Sequence, residues 1–160
     1  MSYVTVSETC PALYATRRSP LPATLGRRLE DRQFLTMHRA FALTGGLLTG
    51  DQAANIMRRH AEQPISSLAR RIVDRTVLSI VWESQILLPA FQFDRATMSV
   101  RPAVRLVINE LAAAFDDWEM ALWFAEPNAW LEGTAPVDLL EKRPTSVLQA
   151  ARVDRFVVTG

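Results

Sequence analysis

The residues that could do chemistry are few and widely separated. Asp116, Asp117 and Glu119 put three carboxylates into four consecutive positions, but no histidine, lysine or nucleophile is spaced to join them in acid–base catalysis. The interval from Asp116 to Glu119 is also that of a helix capping box, which needs no chemistry to explain it. Ser66 and Ser67 lack a Gly-x-Ser-x-Gly context, and no glycine-rich phosphate loop follows an apolar run. His38, His60 and the single Cys10 have no zinc-ligand spacing. The sequence therefore predicts no catalysis, no metal and no cofactor. What remains is arginine, which supplies every basic residue except Lys142.

That arginine is unevenly placed. Residues 1–75 carry 11 arginines against six acids, a charge of +5, whereas residues 76–160 carry seven bases against 11 acids, a charge of −4. A basic half suits a polyanion and an acidic half suits a different partner. Arg58 and Arg59, then Ser66, Ser67, Arg70, Arg71 and Arg75, are the candidate DNA contacts. Hydroxyls and amides near a helix N-terminus would touch phosphates, and arginines would reach guanine edges or clamp the backbone. The alternative for the same residues is a solvated basic face, which any surface helix shows opposite its apolar stripe.

The elements that would position these residues are predicted from local signals. A helix over 28–42 follows an arm rich in Pro, Ser and Thr and ends at Gly45-Gly46. Thr49, three residues before Gln52, starts a helix to about His60. Pro64 opens the next helix, in which Ile65, Leu68, Ala69, Ile72 and Val73 form a buried stripe at i, i+3, i+4, i+7 and i+8, opposite Ser67, Arg70, Arg71 and Asp74. Two β-rich runs, 77–82 and 85–93, are joined by Glu83-Ser84, a connection of hairpin length with poor chemistry for a primed turn. Pro89 confines the second strand to an edge or ends it. Helix, helix, hairpin over residues 47–93 resembles a small winged helix-turn-helix of the excisionase kind.

The second half is predicted to be helical from Val100, with Pro102 at a helix start and Val104, Val107, Ile108 and Leu111 on one face. A break near Phe115 leads to a helix over 117–125. Pro127-Asn128 ends it, Pro136 starts a short helical turn to Leu140, and Pro144 starts the last helix. Three of the four tryptophans, Trp118, Trp123 and Trp130, fall in this half. On physical grounds alone tryptophans at helical spacing are core residues, and the turn signals are ordinary turn chemistry.

The order Trp123-Phe124, Pro127-Asn128, Leu131-x-Gly133, Pro136-x-x-Leu139-Leu140, with a final helix reaching Arg155-Phe156, resembles the toxin-binding domain of the Xre/MbcA/ParS family of antitoxins over residues 100–160. The chain departs from that family's pattern at Trp130, where members often carry a small residue or proline, and at Glu132-Gly133, where they carry a double glycine. The usual DNA-binding part of the family is all-helical, whereas this chain has a hairpin and an arm.

The resemblance implies a partner toxin of the RES or a related NAD-consuming class, approached by the C-terminal end of the chain. Arg152, Arg155 and the tail through Gly160 would then be the blocking element, since a planar guanidinium matches phosphate oxygens. Trp123, Asn128, Trp130, Leu131, Gly133 and Pro136 would form or support the rest of the toxin-binding surface, with Trp118 and Trp123 in the core and Trp130 exposed.

The expected protein is mainly α with a small β-hairpin. An arm (1–32) precedes a winged helix-turn-helix (33–95) and a helical toxin-binding domain (96–160). It would be an antitoxin of a type II toxin-antitoxin system, a homodimer that binds operator DNA and a RES-like toxin and does not enter membranes. The absence of an N-terminal basic-then-apolar segment and the lone cysteine predict a cytoplasmic location. A different class remains open: an interaction protein whose C-terminal module is recruited without a toxin.

Overall fold

Prolines and capping boxes set most of the helix starts in the chain. The computed structural model describes residues 23–160, so most of the arm, with Cys10, lies outside the described residues. The helix expected over 28–42 begins earlier, as α1 (Ala23–Phe41), and ends through a 3-10 turn at Gly45, whose φ is +107°. A Cβ at Gly45 would meet the Ala90 Cβ at 2.8 Å, so the chain needs glycine there for approach as well as for backbone conformation.

Next come β1 (Leu47–Thr49) and α2 (Gly50–Met57), the latter closed by a reciprocal capping box between Thr49 and Gln52. Proline occupies the first turn of α3 (Pro64–Val73), and β2 (Ile80–Trp82) and β3 (Gln85–Pro89) follow. The second half consists of α4 (Pro102–Leu111), α5 (Asp117–Ala125), α6 (Pro136–Leu139) and α7 (Pro144–Thr159). Asp116 and Glu119 make the second capping box, so both carboxylates serve the start of α5.

The strands form one antiparallel sheet in the order β1-β3-β2. Strand β1 goes beyond the expected hairpin, because Leu47–Thr49 is too short to show alternation; it pairs with β3 from Leu47↔Pro89 to Thr49↔Leu87. The hairpin is present but shorter than the two β-rich runs. Trp82 faces Gln85 across the two-residue connection, and Pro89 is the last residue of β3. Glu83 and Ser84 have φ of +47° and +65°, the sign pattern of a type I′ turn. The hairpin therefore forms with residues that dislike its backbone.

Buried Gln92 supplies the pairing that the strands lack. Its Oε1 accepts from the Leu78 amide at 2.7 Å, and its Nε2 donates to the carbonyls of Leu78 and Pro89 at 2.8 and 3.0 Å. The whole side-chain amide is satisfied without water.

Helix α3 corrects the expected stripe. Leu68 is buried and Ile72 half-buried, but Ile65, Ala69 and Val73 face outward, with Ile65 65% and Val73 79% exposed. Helical spacing offers two overlapping apolar rows, and the small core beneath α3, built from Ala53, Met57, Leu68, Val77, Leu88, Phe93 and Met98, has room for only one.

The main core crosses the expected domain boundary at residues 95/96. It joins Met37 and Phe41 of α1, Leu78, Ile80, Leu87 and Phe91 of the hairpin region, and apolar residues of α4 to α7. Helix α5 is at its centre, with Met120 to Ala125 all buried, as a helix that is apolar all round must be. Stacked rings continue the join outward: Phe34 on Trp82 at 4.3 Å, and Trp82 against Trp118 at 5.9 Å. The Trp118 Nε1 donates to Gln33 Oε1 of α1 at 2.9 Å.

Candidate functional site

The C-terminal candidates converge on a residue that sequence reasoning passed over. Asp154, on α7, accepts three N–H donors: Trp123 Nε1 at 2.7 Å and Asn128 Nδ2 at 2.7 Å on Oδ2, and Trp130 Nε1 at 2.9 Å on Oδ1. No spacing pattern could single it out, because its partners lie 24 to 31 positions away in the chain.

The loop that carries Trp130 is closed by its own backbone. Asn128 donates to the Thr134 carbonyl, and the Asn128 carbonyl accepts from Leu131 and Gly133, each at about 3 Å. Asn128 Oδ1 accepts from the Trp130 amide at 2.9 Å. Glu132 and Gly133 follow with φ of +58° and +76°, both left-handed, and the Glu132 carboxylate pairs with Arg143 at 3.6 Å.

The predicted toxin-binding residues therefore divide. Trp123, Leu131 and Pro136 are buried and support the loop from beneath, and Asn128 is 9% exposed and locks it. Trp130 is 59% exposed although its ring nitrogen is held, so the indole is presented in a fixed orientation. Gly133 is exposed at the turn. Arg152 and Arg155 share one carboxylate on α4: Arg152 Nε donates to Glu110 Oε1 at 3.1 Å, and Arg155 Nη1 lies 2.7 Å from Oε2. The two guanidiniums are thus held side by side and remain partly exposed.

The predicted DNA contacts also divide. Arg58, Arg59 and Arg70 are exposed and make no side-chain hydrogen bond or ion pair among the described residues. Ser66 is exposed on the outward face of α3, whereas Ser67 is half-buried. Arg71 turns inward, with Nη1 donating to the Met98 carbonyl at 3.1 Å.

Arg75, expected to reach guanine edges, is committed to the junction between the halves. It pairs with Asp117 at 2.9 Å and donates to the carbonyls of Ala112 and Phe115 at 3.3 and 2.9 Å. Its backbone occupies the left-handed position after α3, at φ +51°, where glycine is favoured. Its amide donates to Ile72, and the Thr76 amide to Arg71, completing a Schellman end.

The surroundings of Asp94 favour its charged form. Backbone amides of Thr97 and Ala96 and the Thr97 hydroxyl donate to its carboxylate and hold it below the usual carboxylate range. Among the described residues no group of three or more His, Cys, Asp or Glu could hold a metal ion, and no helix is long and apolar enough to cross a membrane. The chain matches no family model, no curated protein and no solved structure.

Proposed function

We propose that the protein is an antitoxin-type regulator: its C-terminal half binds and silences a RES-like toxin, and its N-terminal half binds operator DNA as a homodimer in the manner of a winged helix-turn-helix. The observation that carries the binding half is Trp130, an exposed indole fixed by Asp154 in a self-closed loop. Rigid aromatic anchors of this kind supply much of the energy of protein interfaces. The left-handed backbone at both Glu132 and Gly133 supports the resemblance, because it is the conformation that the family's double glycine favours. Support for the DNA half comes from the order α1, β1, α2, α3, β2, β3 and from three unpaired arginines on and beside α3.

The test is co-expression with the product of the adjacent gene. The reading expects rescue of growth and co-purification, with Trp130→Ala lowering affinity at least tenfold while the melting temperature stays within a few degrees. An intact chain that neither rescues nor co-purifies overturns the toxin-binding reading. Loss of folding in Trp130→Ala would show that the Trp130 contact with Asp154 serves the fold and would overturn its role as an anchor. For the DNA half, affinity for the segment upstream of its own gene should fall steeply with salt. Affinity unchanged by Arg70→Ala with Arg58→Ala would overturn the DNA reading.

A further inference from the structure

The outward face of α3 has a composition that phosphate binding alone does not explain. Ile65, Ala69 and Val73 stand four residues apart and form one line, with Ser66 and Arg70 beside it. Two of the three are large apolar side chains left mostly in water, at 65% and 79% exposure. Four residues of helix rise about 6 Å, so the row spans about 12 Å, or roughly three to four base-pair steps.

A partner for this row is apolar along a narrow line and anionic beside it, because Arg70 on α3 and Arg58 and Arg59 at the end of α2 have no acidic partner among the described residues, while the exposed carboxylates Glu62 and Asp74 stand only at the two ends of the row. The major groove over consecutive A·T pairs has that character. Thymine C5-methyl groups line its floor and phosphates flank it. The hairpin does not share the task. Its tip is Glu83-Ser84, which offers no cation to a phosphate, and Trp82 is turned toward Phe34 and Trp118.

We propose that α3 reads a thymine-rich segment through methyl contacts made by Ile65, Ala69 and Val73, with Arg70 and the Arg58-Arg59 pair holding the flanking backbone. This rests on the DNA-binding reading above and names the chemistry that the helix recognises. It explains why two of the three exposed arginines lie off α3 while the centre of its outward face is aliphatic. Reading by methyl groups needs no hydrogen-bond donor and no charged side chain at that centre.

The experiment uses the full chain and the DNA immediately upstream of its own gene, amplified once with dTTP and once with dUTP. Uracil keeps every hydrogen-bonding edge of thymine and lacks only the methyl group. The uracil fragment should bind more weakly, by about fourfold for each methyl group that the helix would otherwise bury, which is the transfer free energy of one buried methylene. In Ile65→Ala with Val73→Ala the thymine preference should shrink toward one. Arg70→Ala should weaken binding to both fragments alike. All three mutated side chains are exposed, so unchanged melting curves establish that the variants fold.

Equal binding of the two fragments by the intact chain, with steep salt dependence, overturns the methyl readout and leaves the DNA reading standing. If neither fragment binds at low salt, both readings are overturned, and the apolar row then belongs to a protein partner.

Discussion

Asp154 shows how one side chain can serve both stability and presentation. It satisfies the indole N–H of buried Trp123, the amide of Asn128 and the indole N–H of exposed Trp130. Removing it by Asp154→Ala leaves the Trp123 and Asn128 donors without a partner in a poorly hydrated place, at a cost of about 2–4 kcal/mol. Trp130→Phe removes one exposed donor and keeps an aromatic ring, so it should cost less than about 1 kcal/mol. Urea denaturation of the two variants checks this, and equal effects would mean that the carboxylate is not a shared acceptor for the three donors.

A second residue sets an acid dependence. Asp94 has its folded-state pKa held below 3.8, the value expected in the unfolded chain. A group depressed by folding binds its proton more readily when unfolded. Its contribution is therefore complete above 3.8 and is lost as pH falls through the lower, folded-state value. Asp94→Asn should remove this part of the acid sensitivity, flattening the urea midpoint against pH below about pH 5 and leaving the shape of the neutral range unchanged.

At the scale of elements, the β2–β3 turn is the place where local sequence and adopted structure disagree. Glu83 and Ser84 both take left-handed backbone, which costs roughly 1–2 kcal/mol for a residue with a side chain. The hairpin persists because Trp82 stacks on Phe34 and because β3 is the central strand, paired on both sides. Replacing the pair by Asn-Gly should therefore stabilise the protein by about 1–2 kcal/mol, read as a raised melting temperature. A lower melting temperature would show that Glu83 or Ser84 makes an interaction that outweighs its backbone.

Across the whole molecule, the shared core and Arg75 join the two halves. Because α1 and the hairpin region pack on α5 in one cluster, the described residues should unfold in a single transition, with the shift in tryptophan fluorescence and the loss of helical circular dichroism coinciding in urea. Two separated transitions would show instead that the halves are independent.

Arg75 makes the tether specific, since its guanidinium spans Ala112, Phe115 and Asp117 from a backbone position that favours glycine. Both Arg75→Ala and Arg75→Gly remove those bonds, but only glycine relieves the left-handed backbone. In thermal melts the alanine variant should be less stable than the glycine variant by about 1 kcal/mol.

Features that depend on near neighbours in the chain were legible from the amino-acid order. Proline in the first turn of four helices, the capping boxes at Thr49 and Asp116, the position of the hairpin and the end of α5 just before Pro127-Asn128 all belong to this class, because each is decided within a few residues. The burial of Trp123 and the exposure of Trp130 follow from helical placement on one side and loop placement on the other. Tertiary packing was needed to select which apolar row of α3 turns inward, to add Leu47–Thr49 to the sheet, to turn Arg75 toward Asp117 rather than solvent, and to gather three donors on Asp154. Each of these depends on a partner tens of residues away, and the sequence supplied several chemically equivalent candidates among which only packing could choose.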